Sequence, residues 1–131
     1  METISINTTA RRQFVDITDK VRKAVKASGI SEGTAVIFTP HTTAGITINE
    51  NADPDVLSDL IKGYSSVFPN RPDYLHCEHN SDSHFKSSVT GCSLTCIVSK
   101  GKLVLGVWQA VYFCEFDGPR TRKIFVQARG A

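Results

Sequence analysis

Residues 92–128 read CSLTCIVSKGKLVLGVWQAVYFCEFDGPRTRKIFVQA, and the way this stretch folds fixes the class of the whole chain. Runs rich in β-branched and aromatic residues, at 92–98, 103–108, 110–116 and 122–128, alternate with Lys100-Gly101-Lys102 and Asp117-Gly118-Pro119. Glycine and proline at such places close tight turns between antiparallel neighbours. The stretch therefore predicts three or four strands joined in sequence.

Working back towards the N-terminus, 34–39 (TAVIFT) is apolar on both faces and reads as a central strand. Pro40 interrupts it, because proline cannot donate to a ladder. Residues 42–49 continue as a strand with Ile46 and Ile48 on one side, and 2–8 alternates about Ile4 and Ile6. Phe14, Val15 and Ile17 suggest one more. Thr18 can cap a helix over 19–27 whose stripe is Val21, Ala24 and Val25, closed by Gly29. Asp53-Pro54 is a helix start, followed at helical spacing by Leu57, Leu60, Ile61 and Tyr64. Ser81 or Asp82 can open a short helix through Val89, expected to bury Phe85 and Val89 and to leave His84, Ser87, Ser88 and Gly91 for a ligand. About seven or eight strands with two or three helices predict a single-domain α+β sandwich, 1–131, of two mostly antiparallel sheets.

With 131 residues, 40% hydrophobic and 21% charged, the chain is long enough to fold on a core of its own. Its net charge of +2 is spread along the sequence, without the basic stripe and interleaved aromatics of a nucleic-acid binder. No run approaches the roughly 18 apolar residues of a membrane span, and METISINTTARRQF has no signal-peptide core. The expectation is a cytoplasmic protein with no nucleic-acid or membrane partner. Its four cysteines are expected as thiols. Cys92 and Cys96, four apart in a strand, would stand about 13 Å from each other and could not bridge.

Two polar segments stand out. Almost every side chain in 76–84 (HCEHNSDSH) can bind a metal or move a proton, and it holds three of the four histidines. The plainer reading is a set of scattered surface histidines, but their grouping speaks against it. The fourth, His41, opens HTTAGITINENADP (41–54). A strand and a capped helix explain Asp53 but not Asn49, Glu50 and Asn51 beside it, whose side chains would need partners or a ligand. Histidine with carboxylate suits zinc and related divalent ions, although the spacing matches no zinc-finger or HExxH pattern. Trp108-Gln109 is a third place, an aromatic wall with a hydrogen-bonding neighbour if it is not simply core. Arg120, after a tight turn, could hold a phosphate or carboxylate, or pair with Asp117 or Glu115.

The three regions HTTAGITINENADPDV (41–56), YLHCEHNSDSHFKSS (74–88) and GKLVLGVWQAVYFCEFDGPR (101–120) together resemble the YjbQ family, also called the secondary thiamine-phosphate synthase family. The resemblance implies a small α+β sandwich that assembles as a homotrimer, with sites near subunit boundaries. It implies a transferase joining a pyrimidine diphosphate to a thiazole phosphate as a weak, secondary activity, acting on a small and phosphorylated substrate. Placed on this sequence, it implies Asp82, His84, Asn51 and Asp53 as catalytic residues. Lys86, Trp108, Gln109, Arg120 and Glu50 would bind substrate, joined by Ser87 from the helix face left for a ligand, and His41, His76 and His84 would hold the divalent metal, Zn or Mg, that the histidine and carboxylate chemistry suggests. The alternatives are a non-catalytic metal- or metabolite-binding trimer and a metal-dependent hydrolase. The chain departs from the family pattern at Cys77 and His79, where asparagine and glycine are expected.

Overall fold

Alternation about Ile4 and Ile6 builds β1 (Glu2–Asn7), which pairs antiparallel with β8 (Thr121–Gly130), so that Ile4 faces Ile124 and Ile6 faces Arg122. The computed structural model describes every residue, Met1–Ala131. β8 continues to β3 (Gly33–Phe38), β3 to β5 (Ser93–Ser99) and β5 to the short β6 (Lys102–Leu103), giving a five-stranded sheet in the order β1-β8-β3-β5-β6. A second sheet places β7 (Gln109–Glu115) between β2 (Gln13–Asp16) and β4 (Ala44–Glu50). All pairings are antiparallel. This is the two-sheet α+β sandwich that the sequence predicts, with eight strands and three helices.

The core fills the space between the sheets. Ile37, Val98, Ile124 and Val126 of the large sheet meet Ile46, Val111 and Phe113 of the small one, and α1 (Thr18–Ser28) adds Val21 and Val25. β7 is covered on its other face too. There Ala110, Tyr112, Cys114 and Phe116 pack with Phe14, Leu57 and Tyr64. A strand buried on both sides has no polar face, which is why AVYFCEF shows almost no alternation.

Two helices form the outer layer. α2 (Pro54–Val67) starts as expected, with Asp53 accepting from the Asp55 N–H at 2.9 Å, yet none of its residues is fully buried. α3 (Ser81–Thr90) lies close on β4. A Cβ on Gly45 would sit 2.7 Å from Thr90 Cγ2, so only glycine permits that approach.

Three local expectations are corrected. α3 is turned over: Asp82, Ser83, Lys86 and Ser87 are buried, while Phe85 and Val89 are 43% and 55% exposed. The reason lies in the free carbonyls beneath the helix. Ser83 Oγ donates to Phe116 O and Ser87 Oγ to Ala44 O, both at 2.6 Å. Phe85 instead stacks against Phe68 outside. The strand expected over 103–108 shrinks to β6, because Gly106 and Gln109 close a turn, with Gln109 N–H donating to Gly106 O and Gly106 N–H to Gln109 Oε1. Thr18 does not cap α1 but is its first residue. Asp16 Oδ1 accepts from its N–H and hydroxyl, and Thr18 Oγ1 accepts from Val111 N–H. All four cysteines are free thiols.

Candidate functional site

At the end of the sandwich where β3 gives way to β4, four parts of the chain face one another. The β3–β4 connection brings His41 and Thr43, the long connection between α2 and α3 brings His76, Glu78 and Asn80, and α3 brings His84. The turn after β7 and the start of β8 bring Asp117, Arg120, Thr121 and Arg122. They enclose a pocket of about 440 Å³ with no hydrophobic side chain in its lining.

Arg122 forms the floor. It is only 4% exposed, and its guanidinium is held by Glu115 through Nε and Nη2 while Nη2 also donates to Thr43 Oγ1 at 2.8 Å. Glu115, fully buried, takes a further hydrogen bond of 2.7 Å from the Thr8 hydroxyl. A buried acid in an otherwise apolar strand is explained by this pairing. Arg122 is thereby a preoriented cation, with Nη1 making no hydrogen bond inside the protein.

Beside it, Asp117 organises the wall. It accepts from Asn80 Nδ2 at 2.8 Å and from Arg120 Nη2 at 3.3 Å, while Arg120 Nε donates to the Asp117 carbonyl. Burial pushes the Asp117 carboxyl upward, but the Asn80 and Arg120 hydrogen bonds and the nearby guanidinium charges outweigh it, and it stays below the usual carboxylate range. Asn80 is buried, and its Oδ1 has no partner within the protein. A buried acceptor on the pocket wall calls for a donor from water or a ligand.

His41 Nε2 accepts from the Lys123 backbone N–H at 2.9 Å, which sets it as the Nδ1–H tautomer. Burial, then the Arg122 charge, lowers its pKa below the ordinary value, with Glu115 pulling the other way. His76 and His84 meet edge to face, 5.4 Å between ring centres, and Glu78 Oε2 lies 4.0 Å from His76 Nε2. No three His, Cys, Asp or Glu side chains converge as a ready metal site.

Asp82 and Lys86 lie beneath α3 rather than in the pocket lining. Both side chains are fully buried and Lys86 Nζ donates to Asp82 Oδ2 at 2.9 Å, as does Arg12 Nη2 at 3.0 Å. Burial raises the Asp82 carboxyl, and the Lys86 and Arg12 hydrogen bonds bring it down to a net lowered value. Burial lowers the Lys86 ammonium. Ser87 is likewise turned inward, on the Ala44 carbonyl.

The remaining expected residues gather at the far end of the small sheet. Glu50 is paired with Gln109, Asn51 N–H donates to Trp108 O at 2.8 Å, Asp53 caps α2, and Trp108 is 64% exposed. Seven residues of β4 separate them from the histidines, roughly 20 Å at about 3.3 Å per residue. One chain therefore carries two clusters: His41, His76, His84 and Arg120 in the pocket, and Glu50, Asn51, Asp53, Trp108 and Gln109 away from it. Of the two partners the sequence offers Arg120, the structure gives it Asp117 and pairs Glu115 with Arg122, a residue the sequence does not single out for the site. Glu115 was the available signal, since an acid inside an apolar strand needs a buried partner.

Residues 2–131 match the family described as UPF0047 protein YjbQ-like. The chain belongs to the YjbQ family. It is 48% identical over 131 residues to UPF0047 protein YugU of Bacillus subtilis (strain 168), covering 99% of both. It is 50% identical over 125 residues to UPF0047 protein MJ1081 of Methanocaldococcus jannaschii, covering 95% of this chain and 91% of that one. Among solved structures, a YjbQ/UPF0047 family protein of Clostridium acetobutylicum superposes with a TM-score of 0.96 at 54% identity, over 98% of this chain and all of the other. Membership in the YjbQ family and its two-sheet fold are thus established. No helix is long and apolar enough to cross a membrane.

Proposed function

We propose that this YjbQ-family protein is a cytoplasmic enzyme acting on a small phosphorylated substrate, with weak coupling of a pyrimidine diphosphate to a thiazole phosphate as an assayable side reaction. The observation that carries this reading is the pocket in which His41, His76 and His84 meet Arg120 and Arg122 with no apolar lining. Arg122, locked by Glu115, and Arg120, steadied by Asp117, supply fixed positive charge for phosphate oxygens. Such preset charge stabilises a departing pyrophosphate without reorganising during the reaction. His76 and His84 are placed to donate or accept a proton beside it. Asp82 and Lys86 act from below, holding α3 and so His84.

A divalent ion would need side chains of this pocket to move, because no three of them converge as they stand. Two imidazoles and a carboxylate suit zinc better than magnesium, and His76, His84 and Glu78 would then hold it. His41 joins them only by giving up its bond to Lys123. When bound, the ion would add charge neutralisation at phosphate oxygens.

The second cluster suggests a homotrimer. Glu50, Asn51, Asp53, Trp108 and Gln109 are polar or aromatic, mostly exposed and far from their own pocket. α2 beside them leaves Val56, Leu60, Val67 and Phe68 around an open apolar groove of about 540 Å³. Packing α2 against a neighbouring copy would bring that cluster to the neighbour's histidines, where Trp108 could stack on a heteroaromatic ring.

The test is an assay of the purified protein with both thiamine precursors and Mg²⁺. His84→Ala and Arg120→Ala should each lose at least about tenfold in rate. Activity equal to the parent in both variants would reject the pocket, while stoichiometric binding without turnover would favour a metabolite-binding role. Sedimentation should give a trimer, and a stable monomer at micromolar concentration would refute the assembly. Mixing inactive His84→Ala and Asn51→Ala chains should restore part of the rate if sites are shared between copies.

A further inference from the structure

We propose a second ligand site at the opposite end of the large sheet, between α1 and the turn joining β5 to β6, built for a small molecule bearing two or more phosphates. A cavity of about 550 Å³ lies there, lined by Arg22 and Lys26 of α1, Lys100 and Lys102 of the turn, and an apolar floor of Val25 and Leu103. That volume falls within the range of small-molecule pockets, about 300–1,000 Å³. Four cations and no acid line it, although the whole chain carries 15 basic and 13 acidic residues.

Only one of its four cations, Arg22, has a salt-bridge partner. Asp19 pairs with Arg22 at 3.1 Å on the exposed surface, where such a pair contributes little. Glu32 Oε1 accepts from the Lys100 N–H at 2.8 Å and the Ser99 hydroxyl at 3.2 Å, which fixes the turn itself. Lys100 and Gly101 both have positive φ, 51° and 75°. Asparagine or glycine suits the first of these positions better than lysine does, so backbone preference does not account for Lys100 there. Its charge there joins those of Lys26 and Lys102 around the cavity. Like charges gathered around one concavity repel one another and raise the local concentration of anions. A polyanion offsets that repulsion, and Val25 and Leu103 offer a surface for an organic ring.

This cavity is separate from the histidine pocket. β8 begins at Thr121 beside that pocket and ends at Gly130, which pairs with Gly33 next to the turn. Nine steps along the strand, at about 3.3 Å each, put the two roughly 30 Å apart. The inference therefore stands independently of the proposed reaction.

Pyrophosphate and ATP, titrated separately into Arg120→Ala protein, test it, since that variant weakens phosphate binding in the first pocket. Saturable binding with a Kd below about 1 mM is expected, with amide shifts at Lys26, Gly101 and Lys102 by NMR. Adding Lys26→Gln and Lys102→Gln, which leave the turn residues Lys100 and Gly101 intact, should weaken it at least about tenfold with the melting curve unchanged. Equal affinity for the two ligands assigns recognition to the phosphates, and tighter ATP binding assigns a share to the apolar floor. The proposal is overturned if neither ligand saturates, if the lysine changes leave affinity intact, or if only oligonucleotides or anionic vesicles bind.

Discussion

Lys86 Nζ sits 2.9 Å from Asp82 Oδ2, one helical turn away on α3, and neither side chain has any exposed area. Arg12 reaches the same oxygen from the segment before β2, and Arg11 Nη2 lies 3.8 Å from the other. Three cations thus surround one carboxylate under the helix that carries His84. Removing the carboxylate strands the buried Lys86 ammonium and takes a partner from the part-buried Arg12. Asp82→Asn should destabilise the fold by about 3–5 kcal/mol, measured by urea denaturation at fixed protein concentration. Asp82→Leu combined with Lys86→Met should cost less than the sum of the single changes, because the pair leaves together.

The same carboxylate makes stability depend on acid. Asp82 and Asp117 both lie below the usual carboxylate range when folded. As pH falls, the unfolded chain takes up these protons first, so the stabilisation is complete above about pH 4. It is lost as the pH drops through the lower folded values. Melting temperatures recorded downward from pH 5 should fall steeply in the parent and less steeply in Asp82→Asn. Parallel curves would show that Asp82 is not held as described.

His41 should titrate below about 6.5. Its shift comes first from burial and then from Arg122. Nitrogen-15 shifts should show the Nδ1–H tautomer at neutral pH, since Nε2 accepts from Lys123. An Nε2–H tautomer would contradict the structure.

His79 occupies a left-handed backbone conformation, φ 56°, between the donors and acceptors of the pocket mouth, and Asn70 Nδ2 donates to its carbonyl at 2.8 Å. That region costs a side chain with a Cβ about 1–2 kcal/mol, against which glycine loses about 0.5–1 kcal/mol more chain entropy on folding. His79→Gly should therefore stabilise by about 0.5–1 kcal/mol. The imidazole at this position thus sits on a backbone conformation that favours glycine.

The sandwich was legible because period-two alternation, Pro40, Gly118 and Asp53-Pro54 are local signals with local causes. The histidine grouping was legible for a similar reason, since 76–84 is polar almost throughout. What sequence could not show was direction. Phe85 and Val89 have helical spacing for an inward stripe, but Ser83 and Ser87 find unpaired carbonyls at Phe116 and Ala44, and two short hydrogen bonds turn the helix over. Nor does spacing show distance along a strand. Asn51 and His41 are ten residues apart in sequence, yet β4 holds them at opposite ends of the sheet.

The connection at 69–80 lends the pocket His76 and Glu78 while leaning on the body through few ties, among them the Asn80–Asp117 bond and the packing of Tyr74 on Phe85. No strand of either sheet runs through it. Its length and composition can therefore drift without unsettling the sandwich, and each drift redraws one wall of the pocket while Arg122 and Glu115 keep the floor. A scaffold of this kind can reshape its pocket by rewriting the surface residues of one connection, with the buried Asn80 kept as its anchor.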